Sequence, residues 1–275
     1  MIDPTENAPD LWRDIFPWPD ADSHKYTRGT LLIRGGASMT GAARLAARAA
    51  QRMGAGLVIL AAPRDALPIY AEALESVIVR PADTPDEWRD LVGDARQPAV
   101  LIGPGLGRGA AQKNETLTAL AVKRPCVIDA DGLTNFAAEP ETLFAHLHDA
   151  CVLTPHEGEF DRLFGDRGGD KVTRARAAAR EAGCIVLLKG AETVIASPSG
   201  QAVVNRNAPP WLATAGSGDV LAGMIAGLLA QKMDAFRAAC AAAWGHGRCA
   251  ALHGPGLIAE DIVAGIPKML QEIAR

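Results

Sequence analysis

Gly216-Ser217-Gly218-Asp219 is the stretch whose residue types and spacing come nearest to chemistry. Two glycines let the backbone turn so that several N–H groups point one way. Val220–Ala230 follows as an apolar, proline-free run that reads as a helix. A helix start adds unpaired N–H groups and the positive end of a dipole. Together these make an anion site, most naturally for a phosphate, with Gly216, Ser217 and Gly218 around it. Asp219 follows at once. A carboxylate beside a phosphate is unfavourable unless it has a task. One task is to take the proton of a hydroxyl as its oxygen attacks a phosphoryl group. The alternative is that Asp219 caps the helix, since Asp is a favoured N-cap.

Other polar residues fall where short apolar runs stop: Gly35-Gly36, Gly103-Pro104-Gly105, Asp129 with Asp131, His156 with Glu157 and Glu159, and Lys189-Gly190. Asp129 and Asp131 suit a Mg²⁺ ion held partly through water and phosphate oxygens; alternatively Asp131 only begins a helix. Lys189 could reach a phosphate or ribose as a point charge, or be a solvated lysine. Thr154-Pro155-His156-Glu157 reads as a capping box, with Thr at the cap, Pro at the first helical position and Glu three residues after the Thr. That reading starts a helix running to Leu163 and leaves His156 free to face a cleft. Gly103-Pro104-Gly105 is either a close approach of backbone to a ligand or a plain tight turn.

The elements that must position these residues alternate along the chain. Strands are expected at Thr30–Ile33, Leu57–Ala61, Val77–Arg80, Ala99–Ile102, Cys126–Ile128, Cys151–Leu153 and Ile185–Leu188. Helices are expected at Gly41–Met53, Asp86–Val92, Ala110–Val122 and Thr173–Ala182. Val194–Ala196 and Ala202–Val204 flank Ser197-Pro198-Ser199-Gly200 as a β-hairpin. Helices then dominate, including Asp234–His253 and Ile262–Ala274. Short apolar strands alternating with helices argue for a mainly parallel sheet covered on both faces. In such a sheet the ligand lies beyond the carboxyl ends of the strands, where the polar residues gather. Residues 1–28 show no periodicity and read as an N-terminal arm whose Trp12, Phe16 and Trp18 pack on a neighbour; residues 29–275 read as one domain.

Bulk properties exclude several classes. The 275 residues are 48% hydrophobic and 22% charged, with a net charge of −4. No basic patch suggests nucleic acid. No apolar run reaches the ~18 residues of a membrane span. Met-Ile-Asp-Pro-Thr-Glu-Asn at the start is not a signal peptide. Five scattered cysteines (126, 151, 184, 240 and 249) fit buried small hydrophobes in a reducing cytoplasm. No Gly-Lys dipeptide, no G-x-G-x-x-G after the first strand, no H-E-x-x-H and no G-x-S-x-G occurs, which removes the Walker, Rossmann, zinc-protease and common hydrolase readings.

Six motifs stand in a telling order: Gly41-Ala42-Ala43; Leu101-Ile102-Gly103-Pro104-Gly105-Leu106-Gly107; Asp129-Ala130-Asp131-Gly132-Leu133; Leu153-Thr154-Pro155-His156-Glu157-Gly158-Glu159; Lys189-Gly190-Ala191; and Ala213 to Gly223. From about Tyr26 to the C-terminus the chain resembles the ADP-dependent NAD(P)H-hydrate dehydratases of the ribokinase-like superfamily. The resemblance implies a three-layer sandwich with a mainly parallel central sheet. It implies that ADP, with Mg²⁺, phosphorylates the C6 hydroxyl of hydrated NADH or NADPH, after which phosphate leaves and the dihydronicotinamide is restored. Asp219 would be the base on that hydroxyl. Ala42, Gly105 and His156 would line the hydrate site. Lys189, Gly190, Ala191, Glu192 and Thr193, with the Gly216–Gly218 turn, would hold the nucleotide. The resemblance also implies a homotetramer and a separate epimerase in the same pathway, since the fused epimerase domain of some relatives has no counterpart in the roughly 25 residues before the first motif. Three features depart from the family's usual form: Ser217 where Thr is frequent, Glu157 where Pro is frequent, and the longer segment 205–211. The rival readings are a vitamin-precursor or sugar kinase of the same superfamily, a nucleotide sensor without turnover, and a purely structural α/β domain.

Overall fold

A computed structural model describes residues 3–96 and 99–274. The first half of the chain runs β1 (Thr5–Glu6), β2 (Thr30–Arg34), α1 (Thr40–Arg52), β3 (Leu57–Ala62), α2 (Leu67–Ala73), β4 (Ile78–Pro81), α3 (Pro85–Gly93), β5 (Ala99–Ile102), α4 (Ala110–Ala121), β6 (Cys126–Ile128), α5 (Asp131–Thr134) and α6 (Pro140–Phe144). It continues with β7 (Cys151–Leu153), α7 (Glu157–Phe164), α8 (Lys171–Ala182), β8 (Ile185–Leu188), β9 (Thr193–Ala196), β10 (Ala202–Asn205), α9 (Ser217–Ala230), α10 (Ala235–His253) and α11 (Ala259–Ile273). All ten strands form one sheet in the order β1-β10-β9-β8-β7-β6-β5-β2-β3-β4. Only β9 runs against its neighbours, so the sheet is mainly parallel, as the alternating pattern predicts.

Alternation along each strand sorts side chains to two faces. Leu31 and Ile33 of β2 join the core under α1, α2, α9, α10 and α11, while Leu32 joins the core under α3, α4, α7 and α8. Both faces are apolar, which is why the strands read as near-continuous hydrophobic runs. The expected three layers are therefore present. All five cysteines are free and buried.

α9 lies unusually close to α1. A Cβ on Gly223 would meet the Ala46 carbonyl oxygen at 2.2 Å, and one on Gly227 would meet that of Ala50 at 2.7 Å. Small residues on both helices permit this approach, and it fixes where the N-terminus of α9 stands relative to the sheet.

The N-terminal segment departs from its expectation. Residues 1 and 2 lie outside the described residues, but β1 pairs in parallel with β10 and extends the sheet edge. Asn7 is buried and donates to Asn205 Oδ1 and to the Cys240 carbonyl, each at 2.8 Å. Trp12 is buried, with its ring centroid 5.7 Å from that of Trp244 on α10. Trp12 and Phe16 thus pack on the chain's own body rather than on a neighbour. A two-residue strand between prolines has no period to detect.

Gly223→Ala is expected to lower stability to urea by about 1–3 kcal/mol, the usual cost of overpacking. Gly227→Ala should cost less because its clearance is greater. Equal, wild-type midpoints for both variants would show that α9 does not depend on this contact.

Candidate active site

The glycine turn is built as an anion site. Gly216 is the N-cap of α9 with φ +86°, a conformation that side-chain-bearing residues avoid. A Cβ there would also meet Leu45 Cδ1 at 2.7 Å. The first helical bond shown runs from Val220 N–H to the Gly216 carbonyl at 3.1 Å, so the N–H groups of Gly218 and Asp219 precede it and belong to the unpaired first turn. The Ser217 hydroxyl donates to the Leu212 carbonyl at 2.9 Å, which ties the turn to the loop before it and engages the one donor of the Ser217 side chain. His246, buried on α10, supports the turn from beneath. Its Nε2 lies 2.9 Å from the Ser217 carbonyl oxygen, which can only accept, so Nε2 carries the proton. Burial pushes His246 down to about 4, so the ring is neutral.

Asp219 is the third residue of the helix, and the cap reading for it is corrected: Gly216 holds that position. Among the described residues nothing hydrogen-bonds its carboxylate. Its pKa is pushed up to about 7, first by burial and then by the charge of Asp129, with Lys189 opposing and Asp131 and Glu159 adding to the rise. A carboxyl poised there can take up a proton near neutrality.

Lys189 is neither solvated nor free. Its Nζ lies 2.8 Å from Asp129 Oδ1 and 3.4 Å from where a Cβ on Gly218 would stand, so the ammonium sits against the glycine turn. Burial alone would lower its pKa, but Asp129, Glu159 and Asp219 prevail and hold it above the ordinary lysine value. Glu159 is raised by burial against the pull of Lys189. A proton entering this group therefore has carboxyl oxygens rather than the lysine as its destination.

The capping box exists but is displaced by two residues. His156 caps α7: its Nδ1 accepts from Glu159 N–H at 3.3 Å, and Glu159 Oε2 accepts from His156 N–H at 2.9 Å. Thr154 is held instead by the sheet, buried with its hydroxyl donating to the Ile128 carbonyl at 3.4 Å, while Pro155 accepts from Lys189 N–H at 2.9 Å. Glu157 turns outward to Lys171 and Arg174 at 3.1 and 2.7 Å. The His156 ring stays more than half exposed.

Asp131 does begin α5. It accepts from Gly107 N–H at 3.0 Å and faces Arg108 Nε at 3.4 Å, so it shapes the loop after β5. With Asp129 engaged by Lys189, neither carboxylate is a free metal ligand. Among the described residues no group of three or more His, Cys, Asp or Glu is placed to hold a metal ion.

Ala42 and Gly105 meet at the point where strand order reverses, between β5 and β2, with α1 on one face and α4 on the other. A Cβ on Gly36 would meet the Gly105 carbonyl oxygen at 1.8 Å, and one on Gly105 would lie 3.4 Å from Ala42 Cβ. The two βα loops thus lie in contact at the mouth of the crevice, where ligands of open α/β sheets bind. The Lys189–Thr193 loop stands further along the same edge. Its Lys189 carbonyl accepts from Lys171 Nζ at 2.9 Å and its Gly190 carbonyl from the Thr193 hydroxyl at 3.3 Å. Ala191 and Glu192 are exposed, and Glu192 pairs with Arg206 at 2.7 Å. His246 was not among the candidates read from sequence. Its signal was a polar residue between two glycines in a mostly apolar helix.

With this geometry in view, the NAD(P)H-hydrate dehydratase family profile matches residues 30–266. The ADP-dependent (S)-NAD(P)H-hydrate dehydratase of Neisseria meningitidis serogroup B is 40% identical over 248 residues, 86% of this chain and 81% of that protein. The ADP/ATP-dependent NAD(P)H-hydrate dehydratase of Bacillus subtilis, co-crystallised with ATP and Mg²⁺, superposes with a TM-score of 0.84 at 29% identity, covering 99% of this chain and 100% of that one. A ribokinase-like superfamily protein of Enterococcus faecalis V583 superposes with a TM-score of 0.87 at 22% identity, covering 98% and 96%, and shares the fold. Bifunctional NAD(P)H-hydrate repair enzymes also match at 38–41% identity, and the chain spans about half of their length.

A raised carboxyl binds its proton more tightly folded than unfolded. Ionised Asp219 therefore costs stability from about pH 4, the free carboxyl value, and fully above about 7. Asp219→Asn is expected to raise Tm by an amount that grows between pH 5 and pH 8. A gain independent of pH would contradict the placement of the Asp219 pKa near neutrality.

Proposed function

The chain belongs to the NAD(P)H-hydrate dehydratase family, and from that premise we propose that it restores NADH and NADPH from their C6 hydrates with ADP as phosphoryl donor. The observation that carries this reading is Asp219, a carboxyl near neutrality on the first turn of an anion-binding helix. At physiological pH about half of such groups are ionised and ready to accept a proton.

In this reading the dihydronicotinamide lies at the crevice beside Ala42 and Gly105, with His156 at its rim. Asp219 takes the proton of the C6 hydroxyl as that oxygen attacks the terminal phosphorus of ADP, and AMP leaves. The N–H groups of Gly218 and Asp219 and the dipole of α9 face the transferred phosphoryl group and its developing charge. Lys189 keeps the surrounding carboxylates from repelling it. The ring nitrogen then expels phosphate from C6, and loss of a proton from C5 restores the ring double bond. The Lys189–Thr193 loop forms the wall for the adenine nucleotide. Mg²⁺ belongs to the same proposal as an ion carried by the nucleotide phosphates, which is how such ions commonly enter sites with few free carboxylates.

The wider setting is proposed on the same basis: a homotetramer in the cytoplasm, acting beside an epimerase that supplies the reactive hydrate. Its support is the family resemblance, with exposed Trp18 and Tyr26 available at a surface and unpaired cysteines suited to a reducing compartment. Among the described residues no helix is long and apolar enough to cross a membrane.

Hydrated NADH, ADP and Mg²⁺ should give a rise at the dihydronicotinamide absorbance band, larger than with ATP. Asp219→Asn should lower kcat by about 10²–10⁴-fold, the usual worth of general-base catalysis, while ADP still binds. A stable phosphorylated product with no absorbance change would replace this reading with a small-molecule kinase.

A further inference from the structure

Beside the crevice lies a second concavity of about 600 Å³, within the range of small-molecule sites. It is lined by Arg108, Gly109, Lys113, Thr134, Asn135 and Arg162 among others, and no carboxylate is part of its lining. Three cations facing one hollow is unusual in a chain of net charge −4. Two of them have partners behind the wall: Arg108 faces Asp131 at 3.4 Å, and Lys113 pairs with Glu139. Arg162 has no ion-pair partner among the described residues. The wall is already built, since Asn135 accepts from Gly109 N–H at 3.0 Å and donates to the Gly107 carbonyl at 3.1 Å.

Residues of the hollow adjoin those of the proposed hydrate site on two sides. Arg108 and Gly109 directly follow the Gly105–Gly107 turn. Arg162 lies one helical turn along α7 from Gly158, beside the cap: a Cβ on Gly158 would stand 3.2 Å from His156 Cε1 and 3.9 Å from Arg162 Nη2. The nucleotide wall at Lys189–Thr193 lies further along the sheet edge, between β8 and β9. A dinucleotide whose dihydronicotinamide sits beside Gly105 has to send its adenylate half away from that wall, and the cationic hollow is where this path leads.

We propose that this cavity binds a phosphate of the adenylate half of the dinucleotide substrate, with Arg162 as its principal contact. The proposal rests on the dehydratase reading above. The chemistry is that of a phosphate facing guanidinium groups, and it has two sources in the substrate: the pyrophosphate common to both hydrates, and the 2′-phosphate of NADPH hydrate alone.

The test is steady-state kinetics of wild type, Arg162→Gln and Arg162→Lys with each hydrate at saturating ADP, alongside calorimetric titration with NADPH, which needs no turnover. Arg162→Gln should raise KM for hydrate about tenfold, as loss of a charge-assisted hydrogen bond does. kcat and the KM for ADP should stay unchanged, and Arg162→Lys should recover part of the loss. A rise confined to NADPH hydrate assigns the 2′-phosphate; an equal rise for both assigns the pyrophosphate. Unchanged KM and NADPH affinity in Arg162→Gln would overturn the proposal. An inactive wild type whose NADPH affinity still falls in Arg162→Gln would sink the dehydratase reading and leave the cavity as a dinucleotide site.

Discussion

One half-buried ammonium, that of Lys189, faces the carboxylates of Asp129, Glu159 and Asp219. One positive charge does not balance three negative ones in a partly desolvated site, so proton uptake on a carboxyl is favoured. Asp129 holds the lysine directly and Glu159 is anchored to the α7 cap, whereas Asp219 has no hydrogen-bond partner among the described residues. The excess charge falls most plainly on Asp219, whose pKa rises to about 7. The same arrangement that makes Asp219 a poor stabilising residue makes it a usable base. Neutralising it by proton uptake also removes a charge that would oppose an incoming phosphate.

That balance requires three elements to stay in register. β6 and β8 bring Asp129 and Lys189 to one edge of a parallel sheet, with β7 between them. α9 brings Asp219 down to meet them, and its height is set by the contact of Gly223 and Gly227 with the backbone of α1. His246 and Ser217 then fix the first turn from below and behind, using bonds to backbone carbonyls and none to the ligand side. The reacting groups sit on rigid elements, and the exposed loops carry the parts that would recognise substrate.

Much of this was legible before the fold was known. The strands were readable because both faces of a parallel sheet are buried, leaving apolar runs punctuated by glycine and acid at their carboxyl ends. The turn at Gly216 was readable because two glycines and an acid precede an apolar helix. Other features depend on tertiary competition. Thr154 satisfies every local rule for a cap, yet the sheet claims it through Ile128, and the cap falls two residues later at His156. Lys189 reads as solvated because its partner Asp129 is sixty residues away. The edge strand β1 and the support given by His246 follow from pairings of distant segments, which no local period reports.

The most direct test is the pH dependence of kcat/KM for hydrated NADH, which reports groups of the free enzyme. The charge balance around Lys189 predicts an acid limb with its midpoint near pH 7, displaced upward in Lys189→Met because the opposing positive charge is gone. Activity that holds level from pH 8 down to pH 5, in wild type and variant alike, would contradict a base set by this cluster.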